Sequence, residues 1–309
     1  MSTRNNAKKS NLCLISIIVI AANFGLTQAF CAESIKEQSQ PQNTITTTSE
    51  AELTAQVVKL IRQCKYSDCI PVAKLLIEVC EKHYGAESAI VATVLQNLGF
   101  LYQQLGEYSK AEPIYLKALA IREKTLGPND ADVALSLNNL ALLYQDEGDY
   151  THAEHFYLRA LKIKETIYGA DSLEIATPLN NLATLYKYRG EFAKAEPVFK
   201  TVLSIYAKTI PADDTRIATV QNNLAGVYRE QGKFTEAESM YVQVKTADDK
   251  ALAANHPDRA RDRNNLGLLY FEQGKYEEAE SLLTEALKIR ELILGTKHPD
   301  LIPVLDNLA

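Results

Sequence analysis

The chain runs to 309 residues, of which 23% are charged and 46% hydrophobic, with no Trp and a formal net charge of −6. Those fractions are those of a soluble globular protein. The acidic balance excludes a nucleic-acid surface or an adhesive for anionic membranes, since either needs a basic footprint, and composition by itself names no activity.

The chain opens with Arg4, Lys8 and Lys9, continues through an apolar run from Leu12 to Leu26, and reaches small residues around Ala29 and Ala32. This layout predicts a secretory signal peptide over residues 1–32. An uncleaved N-terminal membrane anchor is the alternative, because only Ser16, Asn23, Thr27 and Gln28 are strongly polar between Leu12 and Phe30. The expected location is therefore exported, periplasmic or secreted, and cleavage would leave a still more acidic chain. Residues 33–49 are polar, lack aromatics and show no period, so they read as a flexible linker.

Helical periodicity begins at residue 50, and residues 50–91 read as a degenerate N-terminal helical repeat. Tyr66 and Gly85 fit the pattern that follows, whereas Cys64 stands at the turn glycine and Cys69 at a small alanine. With Cys80, these residues allow two readings: a bridge in an oxidising compartment, with 64–69 clipping the turn, or small buried thiols. No Cys/His spacing suggests a metal.

From residue 92 to 300 the sequence repeats with a step of 42 residues. Asn97, Asn139, Asn181, Asn223 and Asn265 recur, each followed by Leu, as do Gly106, Gly148, Gly190, Gly232 and Gly274. In the second unit Leu137, Leu140, Ala141 and Tyr144 fall on one face of a first helix; Gly148 ends it; and Ala153, Phe156, Tyr157, Ala160 and Leu161 mark a second. Small residues recur where the two helices must approach, at Gly99, Ala141, Ala183, Ala225 and Gly267 and at Ala111, Ala153, Ala195, Ala237 and Ala279. The acid that follows the second set, such as Glu112 or Glu238, lies three residues after Ser109, Thr151 or Thr235 in three units. That spacing predicts a capping box at the second helix, and Pro113 and Pro197 then belong near a helix start. A structural role suits an acid present once per helix better than catalysis does. The fourth unit departs, with Lys245 at an expected Leu and Arg263 at a core position, and reads as a softer joint. Residues 301–309 supply half of a further first helix, truncated or capping, with Leu301, Val304, Leu305 and Leu308 unpartnered.

Small, aromatic and apolar residues at fixed offsets in a helix-turn-helix unit resemble tetratricopeptide repeats. NNLALLYQDEGDY, ALAIREKTLG and HPD are similar to the kinesin light chain type. The resemblance covers about two thirds of the chain. It implies an all-α fold, a right-handed superhelical α-solenoid of stacked hairpins with first helices lining a groove, in a protein whose partner is a protein or peptide.

On a helix advancing about 100° per residue, Leu135, Leu142 and Asp146 floor that groove, with Asn138 and Asn139 on its shoulders. An Asn amide can donate to and accept from a peptide backbone. Asn138, Asn180, Asn222 and Asn264, with Gln96 in the first unit, are expected to contact a bound segment. Asn139, Asn181, Asn223 and Asn265 are expected to fix the stacking of neighbouring helices. Gln103, Gln145, Lys187, Arg229 and Arg261, with Phe100, Tyr188 and Phe271, vary between repeats and would set selectivity. The three cations point to an acidic or C-terminal carboxylate partner, although a solvated helix face would look the same.

An enzyme is not expected. His152 and His155 share a helix face but have no third ligand, and no phosphate loop, nucleophile motif or cofactor signature occurs. Two classes of function remain: a non-enzymatic module that grips an extended segment in its groove, and a structural scaffold that associates through outer or terminal faces.

Overall fold

A computed structural model of the chain describes residues 49–296 and 301–308. The signal, anchor and linker readings lie outside the described residues, apart from Ser49. Among the described residues all regular structure is helical, and no helix is long and apolar enough to cross a membrane. Thirteen helices follow one another: α1 Glu50–Arg62, α2 Tyr66–Tyr84, α3 Ala89–Gln104, α4 Tyr108–Leu126, α5 Ala131–Glu147, α6 Tyr150–Tyr168, α7 Ala176–Tyr188, α8 Phe192–Thr209, α9 Thr215–Glu230, α10 Phe234–Ala251, α11 Pro257–Glu272, α12 Tyr276–Leu294 and α13 Ile302–Leu308. The chain divides into two compact units after Ile167. Each is a succession of helical hairpins in which neighbours in sequence pack together.

The turn inside each hairpin follows from one glycine. Gly106 adopts φ +71°, the left-handed region that side chains avoid. This lets the Glu107 N–H bond the Tyr102 carbonyl at 2.9 Å, and Lys233 and Lys275 repeat the bond to Tyr228 and Tyr270. Such bonds close a helix C-terminus and reverse the chain. Cys64 takes the same role at φ +53° without being glycine, and the Lys65 N–H still reaches the Leu60 carbonyl at 3.0 Å. The 42-residue step comes from length: second helices such as α4 and α12 have 19 residues, more than a 34-residue repeat accommodates.

Hairpins close at the small positions. A Cβ on Gly99 would stand 2.8 Å from the Tyr115 ring, and one on Gly267 would stand 2.9 Å from Leu283. Ala111, Ala141 and Ala153 in the first unit, and Ala183, Ala195, Ala225 and Ala237 in the second, have no exposed surface.

The expected capping boxes are absent. The second helices start at Tyr108 and Phe234, one residue before Ser109 and Thr235, and their N-caps Glu107 and Lys233 make no side-chain cap. In α6, Thr151 lies inside the helix and Asp149 accepts from the His152 N–H at 3.1 Å. The glutamates serve the next hairpin instead: Glu112 accepts from the Tyr144 hydroxyl at 2.6 Å and Glu238 from Tyr270 at 3.3 Å. Pro113 and Pro197 are sixth in their helices, deeper than expected. Both are exposed, so solvent can satisfy the carbonyls they leave without an intrahelical donor.

Cys69 and Cys80 are free and buried, so the 64–69 bridge does not form. Burial pushes both thiols up to about 12, and the Cys69 thiol donates to the Val57 carbonyl at 3.7 Å. The fourth unit is a charged latch, not a softer joint. Asp249 holds Lys245 at 3.0 Å and both Arg259 and Arg263 at 2.7 Å, while Arg263 also binds Glu285 at 2.7 Å. At the last helix Leu301 is buried, against expectation, whereas Leu305 is 46% exposed; the side chain of Val304 lies outside those described.

Candidate functional site

In the first unit the residues expected to face a ligand are largely turned inward. Gln96 is buried on α3 and donates to Ser136 Oγ at 3.1 Å, and its carbonyl accepts from Arg122 of α4. Arg122 is itself buried and bonds Ser136 Oγ at 2.8 Å, Thr93 Oγ1 at 2.9 Å and the Asp132 carbonyl at 3.2 Å. Burial lowers its pKa, with Asp132 and Asp130 acting against the shift. Gln96 is thus one wall of a guanidinium cage, which corrects its assignment as a ligand contact.

Gln103 is likewise buried, donating to Asp146 Oδ2 at 2.6 Å and accepting from the Tyr115 hydroxyl at 2.9 Å. Gln145 is half-buried and accepts from the Tyr157 hydroxyl at 3.3 Å. Asn138 and Asn139 are both buried. The expected floor is the more open surface, with Leu135 and Leu142 half-buried and Asp146 exposed. His152 is held by Asp149 at 2.6 Å and stacks on Tyr144.

The second unit concentrates the remaining candidates. A cavity of about 390 Å³ opens among α7, α9, α10 and α11, and its lining includes Lys187, Asn222, Asn223, Arg229, Arg261 and Asn265. Asn180 and Asn264 are half-buried and do not line it.

The expected division of labour between the paired amides fails here. Asn222 is buried, donates to Asp262 Oδ1 at 2.7 Å and accepts from Asn265 at 3.5 Å. Asn264 accepts from Asn307 at 2.9 Å. Asn223, expected to fix stacking, does bond the neighbouring first helix, accepting from Lys187 Nζ of α7 at 3.1 Å, and it lies on the cavity wall. In both pairs the first amide bonds the next first helix, and the second bonds the preceding one, Asn223 through Lys187 and Asn265 through Asn222.

The cations differ in their compensation. Arg229 pairs with Glu230 at 2.6 Å and lies 3.6 Å from Glu272. Arg261 lies between Asp258 at 2.7 Å, Asp262 at 3.3 Å and Asp248 at 3.9 Å. Lys187 bonds the Asn223 amide and forms no carboxylate ion pair among the described residues, although Glu230 on the same cavity wall partly offsets its charge. Burial lowers its pKa, and the Arg229 charge adds to that.

Beneath the cavity lies a pair that sequence reasoning missed. Asp248 of α10 and Asp262 of α11 are buried together, and Asp248 is pushed up to about 7 by burial and by the Asp262 carboxyl, with Arg261 opposing. Two acids fourteen residues apart on different helices gave no periodic signal. Gly226 was also missed, although it was visible: at its register the other units carry Phe100, Leu142, Thr184 and Leu268.

Tetratricopeptide repeat matches cover residues 60–124, 90–166, 132–208, 216–292 and 263–309. The chain belongs to the tetratricopeptide repeat family. Among solved structures it is similar to the nearly identical TPR-like repeats of a Podosopora anserina kinesin light chain, with 26% identity and a TM-score of 0.55 over 64% of this chain and 93% of that one. BtubC (BKLC) from P. vanneervenii matches at 26% identity and a TM-score of 0.60, over 80% and 94%. The tetratricopeptide sensor protein PH0952 of Pyrococcus horikoshii shares the fold at 17% identity and a TM-score of 0.64, over 84% of this chain and 38% of that one. No curated protein matches the chain. Tetratricopeptide repeats are in general protein interaction scaffolds, and this member has the kinesin light chain type of repeat.

Proposed function

We propose that this tetratricopeptide protein is a non-enzymatic binding module that holds an extended segment of a protein partner in the groove of its second unit. One observation carries the reading: the cavity wall brings amides able to pair with a peptide backbone, Asn223 and Asn265, beside three cations, of which Lys187 makes no carboxylate ion pair among the described residues. The partner is accordingly an acidic segment. The sites of contact are Lys187, Arg229, Arg261 and the amides on that wall, in place of Gln96, Gln103 and Asn138, whose hydrogen-bonding groups lie in the core of the first unit.

The protein acts outside the cytoplasm; this part of the proposal rests on the basic, apolar and small-residue order of residues 1–32. N-terminal sequencing of the exported protein tests it, with a start close to Glu33 expected and an intact Met1 contradicting cleavage. For the groove, a peptide library screened against the wild type and against Lys187→Ala with Asn223→Ala should return acidic segments that the double variant releases. Equal retention by both would remove the groove from the account.

A scaffold role is the second reading, favoured by the use of Asn222 and Asn264 to tie first helices together. It predicts association that survives the double variant and is lost on changing exposed outer residues such as Val242.

A further inference from the structure

The second helices share a register, with a step of 42 residues, that carries Arg122, Lys164, Tyr206, Asp248 and Arg290. Arg122 shows what the position can do: it donates to Gln96 of its own first helix and, at 2.8 Å, to Ser136 Oγ of the next. Asp248 of α10 reverses the charge there, and the register of Ser136 is filled by a second acid, Asp262 of α11. Both acids are buried.

This joint therefore has acceptors where the Arg122 joint has donors. Asp262 Oδ1 accepts from Asn222 at 2.7 Å and from Arg261 at 3.3 Å, whereas its Oδ2 is buried and receives no hydrogen bond among the described residues. Asp248 lies within hydrogen-bonding reach of that carboxyl, and two carboxyl groups can bond each other only when one of them holds a proton. Burial and the Asp262 carboxyl push Asp248 up to about 7, with the Arg261 charge opposing. The charged groups around the pair are engaged elsewhere. On α11 Asp258 holds Arg261 at 2.7 Å, with His256 of the preceding turn 3.8 Å away. On α10 Asp249 holds Lys245, Arg259 and Arg263, and Arg263 also binds Glu285 of α12. From α9 comes the uncharged Asn222. Arg261, 3.9 Å from Asp248, is thus the cation that a second negative charge would draw in, and it stands on the cavity wall.

We propose that the Asp248–Asp262 pair is a proton-operated catch between α10 and α11. Holding one proton, it locks the two helices and leaves Arg261 on the cavity wall. On its loss the carboxyls part, and Arg261 turns inward to neutralise Asp248. The Asp249 ion pairs keep the helices joined meanwhile, so the change is confined to the pair and Arg261. The catch stands on the joint alone, while its effect on a bound segment rests on the groove reading above.

The first test uses the full chain without ligand and follows the carbon-13 resonances of the two carboxyls with pH, assigned through Asp248→Asn and Asp262→Asn. One carboxyl of the pair should remain protonated at pH 6 and titrate near neutrality, and the Arg261 Nε–H resonance should move with the same midpoint. Both carboxyls ionised at pH 6, or an Arg261 signal that ignores their titration, overturns the catch. A Glu-rich, histidine-free peptide then measures the consequence. Wild type should bind it about tenfold more weakly at pH 8 than at pH 6, whereas Asp248→Asn and Arg261→Ala should each bind it equally at both. Equal binding by wild type at both pH values, with the pair titrating, overturns the control of Arg261 and leaves the groove reading intact. A pair that titrates with Arg261 following, and no peptide bound at either pH, supports the catch and overturns the groove reading.

Discussion

Asp248→Asn should stabilise the protein, by an amount that grows with pH. Asp248 and Asp262 are buried, and burial together with the Asp262 carboxyl raises the Asp248 pKa from 3.8 to about 7. The folded state therefore binds a proton that the unfolded chain has released, and stability falls as pH rises from about 4 to about 7, levelling off above. Each decade of shift corresponds to about 1.4 kcal/mol, so a shift of roughly three decades sets an upper bound near 4 kcal/mol. Water entering the site and relaxation around the carboxyls would reduce this, and about 2 kcal/mol is a fair expectation at pH 8. Asparagine has nearly the same shape, can still donate to Asp262, and cannot ionise. Urea denaturation of both proteins at pH 5, 6.5 and 8 measures the difference, in which the other titrating groups largely cancel. The account requires the variant's advantage to widen between pH 5 and pH 8. A difference that is flat with pH, or that favours the wild type more strongly at pH 8, would refute the shared-proton reasoning.

Gly99→Ala places a Cβ 2.8 Å from the Tyr115 ring and should cost about 1–3 kcal/mol in thermal or urea unfolding, whereas alanine already fits at the equivalent Ala141. Arg122→Ala should cost on the order of 3 kcal/mol, because Gln96, Thr93 and Ser136 lose their shared donor; Arg122→Met should cost less, since it refills much of the space. At pH 8 a thiol-reactive dye should leave Cys69 and Cys80 unmodified in the native protein and label both in denaturant, since burial holds each near 12; fast native labelling of either would contradict its placement.

The fold was legible because its determinants recur. The turn glycines, the small residues at the hairpin contact and the stripe through Leu137, Leu140 and Ala141 are each demanded once per unit by local geometry. Periodicity therefore reveals them, and all take the expected roles. The helix starts were misread at Ser109 and Thr235 because the capping-box spacing was satisfied by residues one position inside the helix, while Glu112 and Glu238 reach to tyrosines 32 residues later. Long-range partners of that kind leave no local spacing to read.

The site was legible only in part. Lys187, Arg229 and Arg261 do line one cavity; the first two share one register of the repeat and Arg261 holds another. Gln103 holds the register of Lys187 and Arg229, and Gln96 that of Asn222, but both are drawn inward by Tyr115 and Arg122, groups on another helix. The amide pairs were assigned by angle alone, and an angle does not say which of two neighbours finds a partner first: Asn222 finds Asp262, and Asn223 finds Lys187. The cavity beside Gly226 arises from departures from the repeat, a glycine for a leucine and an arginine for a glutamine. Such departures become informative once the surrounding units show what is missing.

Photo-crosslinking from inside and outside the groove tests the central claim most directly. Benzoylphenylalanine placed at Thr219, which is exposed on the cavity wall, should form an adduct with an acidic segment of the natural partner that is lost with Lys187→Ala. The same probe at exposed Val242 of α10 should give none. Adducts at Val242 with none at Thr219 would contradict the account and transfer the function to the outer face.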